Sequence, residues 1–566
     1  MRVLHWFRKG LRLHDNPALL ASLNPPKKTS DEPIEILFLY IYDTTGKEYG
    51  MRGYRQAQFL LESLVDLDQS LKKLGKNLRL LVVEGDPIME VPALCKNLDV
   101  KYVTFEADIE PYSIVRDNEV TKKLEEEGVT VSRTHGHTMW DPEFLKSHHQ
   151  PPQTATKDSN SKNLGIPMTY QSFCALIRRV SPQGPSKPLP SFEEYAKSCT
   201  APNLSELELG KVHIGPPSSL EQLKIEFDPI PELGDHVSDD EGEKWEMTFP
   251  GGEIEGLDRL QRMVAQRPDW VCSFAKPETA PTSLPISTTG LSPYIRFGCV
   301  SARHAWWVIA EAMRPASKAS KTKPPTQPPV SLHGQLLWRE FFNLVASVTP
   351  NFDRIEGNPI CRPIDWNVDE NLLSAWREAR TGFPFIDAAM IQLHRHGWMH
   401  HLARHAVACF LTRGQLWQSW TAGADIFSSL LLDADWALNS ANWMWLSASA
   451  FFHQYYRIYC PVSFGRKTDQ DGEFIRHFIP ALRNMPPEYI YDPWTAPMSV
   501  QKKAGCIIGV DYPDPIVDHQ EAKAENLERM KAAYADREVS PTPEQKRKIT
   551  FGFGKAAMKN AKKMKK

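Results

Sequence analysis

Residues 430–452, LLLDADWALNSANWMWLSASAFF, lie in the most apolar part of the chain, which begins at Phe427, yet carry Asp433, Asp435, Asn439 and Asn442. Acids near the middle of such a stretch argue against a membrane span and for a buried polar site. A buried carboxylate costs several kcal/mol unless it is paired or hydrogen-bonded. Residues 397–414, GWMHHLARHAVACFLTRG, offer Arg404 as the partner. Asn439 follows Asp435 by four residues, so on a helix both face one side. Acids, an arginine and an asparagine within aromatic walls predict a heteroaromatic ligand with ring N–H donors.

The rest of the chain is organised around that site. From about Gly252 to Tyr534 the apolar spacing is helical, and only Trp6 and Trp140 of 16 tryptophans precede residue 245. The first 140 residues differ. Arg2–Phe7, Ile34–Tyr42, Leu78–Val83 and Tyr102–Phe105 read as strands, with helical patterns over Tyr54–Leu74 and Ser113–Glu127 between them. That alternation predicts a parallel, Rossmann-like sheet with helices on both faces. No GxGxxG follows the first strand, so a dinucleotide fingerprint is absent. The expected organisation is an α/β domain over 1–140, a connector over 141–250 rich in Pro, Ser, Thr and acids, an all-α domain over 251–535, and a basic tail over 536–566. Residues 541–566 hold nine Lys/Arg against one Glu, which suits a disordered segment directing nuclear import.

Lys+Arg minus Asp+Glu is 67 − 69 = −2, so any nucleic-acid site is a local patch. Nine cysteines without a CxxC pair argue against a disulfide scaffold and a zinc ribbon, and for a reducing compartment, nucleus and cytoplasm. The N-terminal residues show no signal-peptide apolar core.

Four further groups of residues carry chemistry. Ser287-Thr288-Thr289-Gly290-Leu291-Ser292 precedes a helical pattern, so its backbone N–H groups suit an anion or simply cap a helix. Gln335 and Arg339 share a helical face, with Glu340 as an internal partner for the arginine. His401 and His405 share a face as a metal pair, a proton-transfer pair or core residues; no HExxH or third ligand supports metal. Trp417 and Trp420 lie one turn apart, and Trp443 follows Asn439 by four residues. With Trp366 they form a set of indoles near the polar site.

These segments resemble the cryptochrome/photolyase family, in particular its animal branch. The resemblance runs through LHWFRKGLRLHDNPAL, TTGLSPYIRFGCVS, GQLLWREFF, EGNPICRPIDW, RTGFPFIDAAM, LLLDADW, NWMWLSASAFF, CPVSFGRKTD and YIYDPW. It implies an α/β antenna-type domain joined to an all-α domain that binds FAD noncovalently. It places the FAD phosphates against Thr288, Thr289, Gly290, Leu291 and Ser292 and near Gln335 and Arg339. Arg404 pairs with Asp433, Asp435 hydrogen-bonds the flavin or adenine, His401 adjoins the cofactor, and Asn439 matches the position facing flavin N5. Insect receptors carry Cys there and photolyases Asn. Trp443, Trp420 and Trp366 match the family's electron-transfer triad and Trp417 a fourth member. His401 and His405 match the pair that (6-4) photolyases place at the DNA lesion.

The resemblance implies one of two functions. LWQSW and residues 496–519 resemble light-receptive animal cryptochromes, which reduce flavin in blue light, signal to a circadian clock and bind a protein partner in light. Asn439 and His405 point to the alternative, a (6-4) photolyase acting on UV-damaged DNA. A light-insensitive clock repressor usually has a longer tail. A homodimer fits either role, and no residue set in 1–140 singles out an antenna chromophore.

Overall fold

The computed structural model describes residues 1–26, 33–46, 53–75, 77–149, 164–207, 210–223, 226–228, 232–234, 249–319 and 324–535. The polar part of the connector at 150–163, its acidic part at 235–243 and the basic tail lie outside the described residues.

Six strands build the sheet: β1 (Arg2–Phe7), β2 (Glu35–Asp43), β3 (Leu80–Gly85), β4 (Val100–Glu106), β5 (Thr130–Thr134) and β6 (His213–Ile214). Their order is β5-β4-β1-β2-β3-β6, parallel except for the β3–β6 pair. β1 and β2 are buried on both faces, which is why they read as unbroken apolar runs. The helices Tyr54–Leu74 and Pro111–Glu126 answer to the expected helical patterns over Tyr54–Leu74 and Ser113–Glu127, and a further helix, Pro87–Asn97, alternates with the strands between them. β5, TVSRT, is a polar edge strand without an apolar run. β6 is an exposed two-residue strand that the expected connector contributes to the other edge.

The loops following β1 and β5 reach the helical part. The buried Arg12 guanidinium donates to a Glu106 carboxylate oxygen and to the carbonyl of Gly298. Glu253 accepts from the backbone N–H of Leu13 and His14. The cavity walls come mainly from the helices Leu332–Val348, His401–Cys409 and Trp436–Leu446, with Phe427 of helix Trp420–Leu430. Helix Pro384–His396 ends on Gly397 in the left-handed conformation, φ +61°, a C-terminal stop that turns the chain toward His401. Among the described residues no helix is long and apolar enough to cross a membrane.

Candidate functional site

One cavity of about 950 Å³ lies within the helical part, the upper range for small-molecule sites. Every residue expected at the cofactor lines it: Thr288, Thr289, Gly290, Leu291, Ser292, Gln335, Arg339, His401, Arg404, Asp433, Asp435 and Asn439. His405 and Trp443 line it as well, whereas Trp420, Trp366 and Trp417 do not.

The buried acids are resolved as the sequence requires. Arg404 meets Asp433 through two parallel bonds, Nη1 to Oδ1 at 3.0 Å and Nη2 to Oδ2 at 2.9 Å. Its Nε donates to the Met399 carbonyl, which fixes the plane of the fork. Asp435 is the N-cap of helix Trp436–Leu446, its Oδ1 accepting from Leu438 N–H at 3.0 Å. Its Oδ2 lies 3.3 Å from His137 Nε2, a partner nearly 300 residues earlier in the chain. Burial alone would raise the Asp435 carboxyl. The His137 hydrogen bond and the charges of Lys9 and Arg339 outweigh it and hold the group far below the usual carboxylate range.

Asn439 offers less than its side chain suggests. Nδ2 donates to the Ala424 carbonyl at 2.8 Å and to Ser428 Oγ at 2.9 Å. Ser428 spends its own hydrogen on Ala424, so the amide orientation is set and Oδ1 is the group left for the cavity. Gln335 is similarly committed through Nε2 to the carbonyls of Pro329 and Ser331. Arg339 bonds Glu340 at 2.7 Å, the internal pairing expected as an alternative, yet its buried Nη2 has no protein partner. The hydroxyl-rich loop runs into a short helix, Ser292–Arg296, without a side-chain cap, so its backbone N–H groups stay available. Gly290 has φ +60°, and a Cβ there would come within 2.6 Å of Arg259 Nη1.

A histidine cluster forms another wall. His400 caps helix His401–Cys409, its Nδ1 accepting from Leu402 N–H. His401 packs on it, ring centroids 4.3 Å apart, and lies 6.2 Å edge-on from His405. His405 Nδ1 is 3.1 Å from Tyr459 Oη, and the buried His401 Nε2 has no protein partner. Lys276, which the sequence reading passed over, lines the same cavity; burial and Arg404 lower its ammonium to about 8. Burial, then Lys276 and the neighbouring histidines, holds His401 well below 6.5. Burial and nearby cations take His400 and His405 to about 3. The protein therefore keeps this cluster neutral near pH 7. An imidazole poised to titrate near neutrality is not what the structure holds.

That depression has a sign. An unfolded chain protonates these histidines near pH 6.5, the folded chain not until about 3. Stability is complete above pH 6.5 and is lost as pH falls toward 3, about 1.4 kcal/mol per pH unit for each histidine. The thermal midpoint of the ligand-free protein should fall steeply from pH 6.5 to 5, and His405→Gln should flatten the slope. An unchanged midpoint across that range would contradict the neutral cluster.

The indoles divide into two groups. Trp443 is buried at the cavity wall, its ring edge-on to Phe427 at 5.0 Å and to Trp376 at 6.1 Å. Its six-membered ring rests on Gly423, where a Cβ would come within 2.2 Å. Trp420, fully buried, precedes Gly423 by three residues on the same helix, so Trp443 and Trp420 meet one helical face. Trp366 and Trp417 are in contact, centroids 4.9 Å apart. Trp417 donates Nε1–H to the Asp365 carbonyl, and Arg529 of helix His519–Ala535 covers its ring at 5.3 Å. Trp376, stacked on Phe427, is a further buried indole beside Trp443 that the sequence did not single out.

The fit to FAD rests on the set of groups around one cavity: a hydroxyl-rich loop leading into a helix without a side-chain cap, a buried arginine nitrogen without a partner, an acid, an amide oxygen and an indole. Comparison with known proteins agrees. Residues 331–532 match the FAD binding domain of DNA photolyase and residues 3–163 match DNA photolyase. A (6-4)DNA photolyase of Oryza sativa subsp. japonica is 44% identical over 538 residues, covering 94% of this chain and 89% of that protein. Cryptochrome-1 of Sylvia borin and of Gallus gallus are each 43% identical, with 94% and 78% covered. Among solved structures, a bacterial class III photolyase from Agrobacterium tumefaciens superposes with a TM-score of 0.73 at 28% identity, covering 94% of this chain and 98% of that one. The Synechocystis cryptochrome also gives 0.73, at 26% identity, with 93% and 98% covered. With that identity across nearly its whole length, the chain belongs to the photolyase/cryptochrome family, and FAD is its cofactor.

Proposed function

We propose that the protein uses blue light to pass an electron from FAD to a damaged base flipped out of DNA, the (6-4) photolyase activity. The observation that carries this is the composition of the cavity beyond the expected cofactor residues. Trp338, Trp445 and Tyr459 are half-buried in its wall beside His401 and His405, and Arg457 and Lys467 are exposed members of its lining. Aromatic walls suit a base taken out of the stack, and exposed cations suit its flanking phosphates.

Bound FAD supplies a blue-absorbing one-electron donor; the chain supplies the rest. The Thr288–Ser292 loop and the unpartnered Arg339 Nη2 would hold the diphosphate, while Gln335, its N–H groups spent on Pro329 and Ser331, would only line that part of the cavity. The Arg404–Asp433 fork, Asp435 and Asn439 Oδ1 orient the ring system. His401 and His405, kept neutral, hold protons against the lesion. Trp443, Trp420, Trp366 and Trp417 return electrons from the surface. Asp433→Ala strands the Arg404 guanidinium, which is partly exposed, so about 1–3 kcal/mol is lost, roughly tenfold or more in FAD affinity. Flavin retained through gel filtration as in wild type would contradict this.

The test of repair is illumination of the reduced holoprotein with a (6-4)-containing oligonucleotide, followed by chromatography for restored thymines. Normal flavin photoreduction without restored bases would overturn the repair reading.

A light-receptor reading also has its own observation. Helix His519–Ala535 lies on the outer indole pair, with Arg529 over Trp417, Asn526 donating to the Gln415 carbonyl and Tyr534 to the Ala448 carbonyl. Light-driven oxidation of Trp417 would act directly on this C-terminal helix and through it on a protein partner. For either role we place the protein in the nucleus as well as the cytoplasm. Deleting 541–566 should shift a fluorescent fusion toward the cytoplasm, and an unchanged distribution would refute the import role.

A further inference from the structure

The loop after β5, Gly136 to Trp140, belongs to the α/β domain, yet it touches one acid of the cavity wall, Asp435, and one that does not line it, Glu340. His137 Nε2 lies 3.3 Å from Asp435 Oδ2. Two residues on, Met139 N–H donates to Glu340 Oε2 at 2.8 Å and Trp140 N–H at 3.4 Å. The other Glu340 oxygen accepts from Arg339 at 2.7 Å. Asp435 and Arg339 line the cavity; His137 and Glu340 do not. One short loop thus braces a cavity acid from one side and a cavity cation from the other. Because the Glu340 bridge uses backbone N–H groups, it anchors the loop whatever the side chain at 137.

We propose that His137 is a positioning residue of the FAD site: by donating to Asp435 it fixes the carboxylate that faces the cofactor, so that the α/β domain takes part in holding FAD. A carboxylate offers only acceptors, so Nε2 carries the proton and Nδ1 is the bare nitrogen. Burial and the Arg339 charge lower the His137 imidazole to about 4, which makes the donor a neutral ring. The two Asp435 oxygens then have separate duties. Oδ1 caps its helix, and Oδ2 is held by His137. Without His137, Oδ2 is free to turn toward Lys9, a cation whose charge already acts on Asp435, and its remaining lone pairs leave the cavity. An outlying hydrogen bond that orients an inner ligand is conveyed as ligand affinity.

The inference rests on the cavity being the FAD site, and the test separates the two. FAD release from the holoprotein is followed by the rise of free-flavin fluorescence after dilution, with melting of the apoprotein measured alongside. His137→Ala should release FAD roughly tenfold faster, and His137→Gln, which keeps an N–H donor, should restore release to within about threefold of wild type. In an Asp435→Asn background, His137→Ala should add little. Asp433→Ala serves as the cavity control. Fast release by Asp433→Ala with wild-type release by His137→Ala overturns the proposal and leaves the cavity assignment standing. Wild-type release by both removes the cavity assignment and the proposal together. Equal acceleration by Ala and Gln, or an undiminished effect of His137→Ala beside Asp435→Asn, shows that His137 acts by packing and overturns the proposal. An apoprotein melting point lowered as much by Gln as by Ala, with release restored only by Gln, supports it.

Discussion

Trp443→Phe is expected to slow blue-light reduction of the bound flavin about a hundredfold, a change of about 3 kcal/mol in effective barrier. Trp443 is the indole of the expected set that lines the cavity. Trp420 precedes Gly423 by three residues on the helix against which Trp443 packs, and Trp366 and Trp417 contact each other. A phenyl ring does not reach as far as the indole's six-membered ring, which packs on Gly423, and it is much harder to oxidise than indole. The cost in stability should be about 1–2 kcal/mol, from the volume lost in a buried site. Trp376 provides the control, because it touches the Trp443 ring at 6.1 Å and is fully buried. Its Nε1 donates to the Val407 carbonyl, which ties it to the core. Trp376→Phe should leave photoreduction within about threefold of wild type if the chain runs through Trp420. Absorbance under blue light with a reductant decides the matter. Equal rates for wild type and Trp443→Phe would return all four indoles to core packing.

What sequence could reveal depended on whether a residue's partner lay within its own segment or was demanded by energy. β1 and β2 were legible because strands buried on both faces cannot alternate. β5 was missed because an edge strand with a half-exposed pattern has no such constraint. The Arg404–Asp433 pair was legible from the cost of a lone buried acid, although 29 residues separate its members. Asp435 was legible as a buried acid, but its two partners were not. One is a helix N–H, whose position depends on where the helix starts, and the other is His137, in a loop of the other domain. Lys276 sits in a turn without periodicity, so nothing marked it as part of the histidine wall. Asn439 was found by spacing, but its acceptor-only character followed from Ala424 and Ser428 on a neighbouring helix. Spacing finds which residues share a face; it is silent on which of their atoms are already spent.

His401→Ala and His405→Ala should each lower the quantum yield of lesion repair by at least about a hundredfold, the range for loss of a positioned proton donor or acceptor. Both imidazoles line the cavity, and the structure gives them different tasks. His405 is tied through Nδ1 to Tyr459, so its orientation is fixed before any substrate arrives. The buried His401 Nε2 has no protein partner, an arrangement that costs stability unless a bound group completes it. His405 belongs neither to the expected cofactor set nor to the indole set, so flavin photoreduction in His405→Ala should match wild type. Tyr459→Phe should be milder, because it releases the His405 ring without removing it. Lys276 adds a further consequence. Its charge is among the causes that hold both histidines low, so Lys276→Met should move their titration upward. Any acid limb in the pH profile of repair should then shift to higher pH. Measured side by side, repair yield and photoreduction separate the two readings of the protein: repair lost with photoreduction intact assigns the histidine wall to DNA. Wild-type repair in His401→Ala and His405→Ala would deny the pair a role in proton transfer and leave Lys276 and the aromatic walls as the substrate's only contacts there.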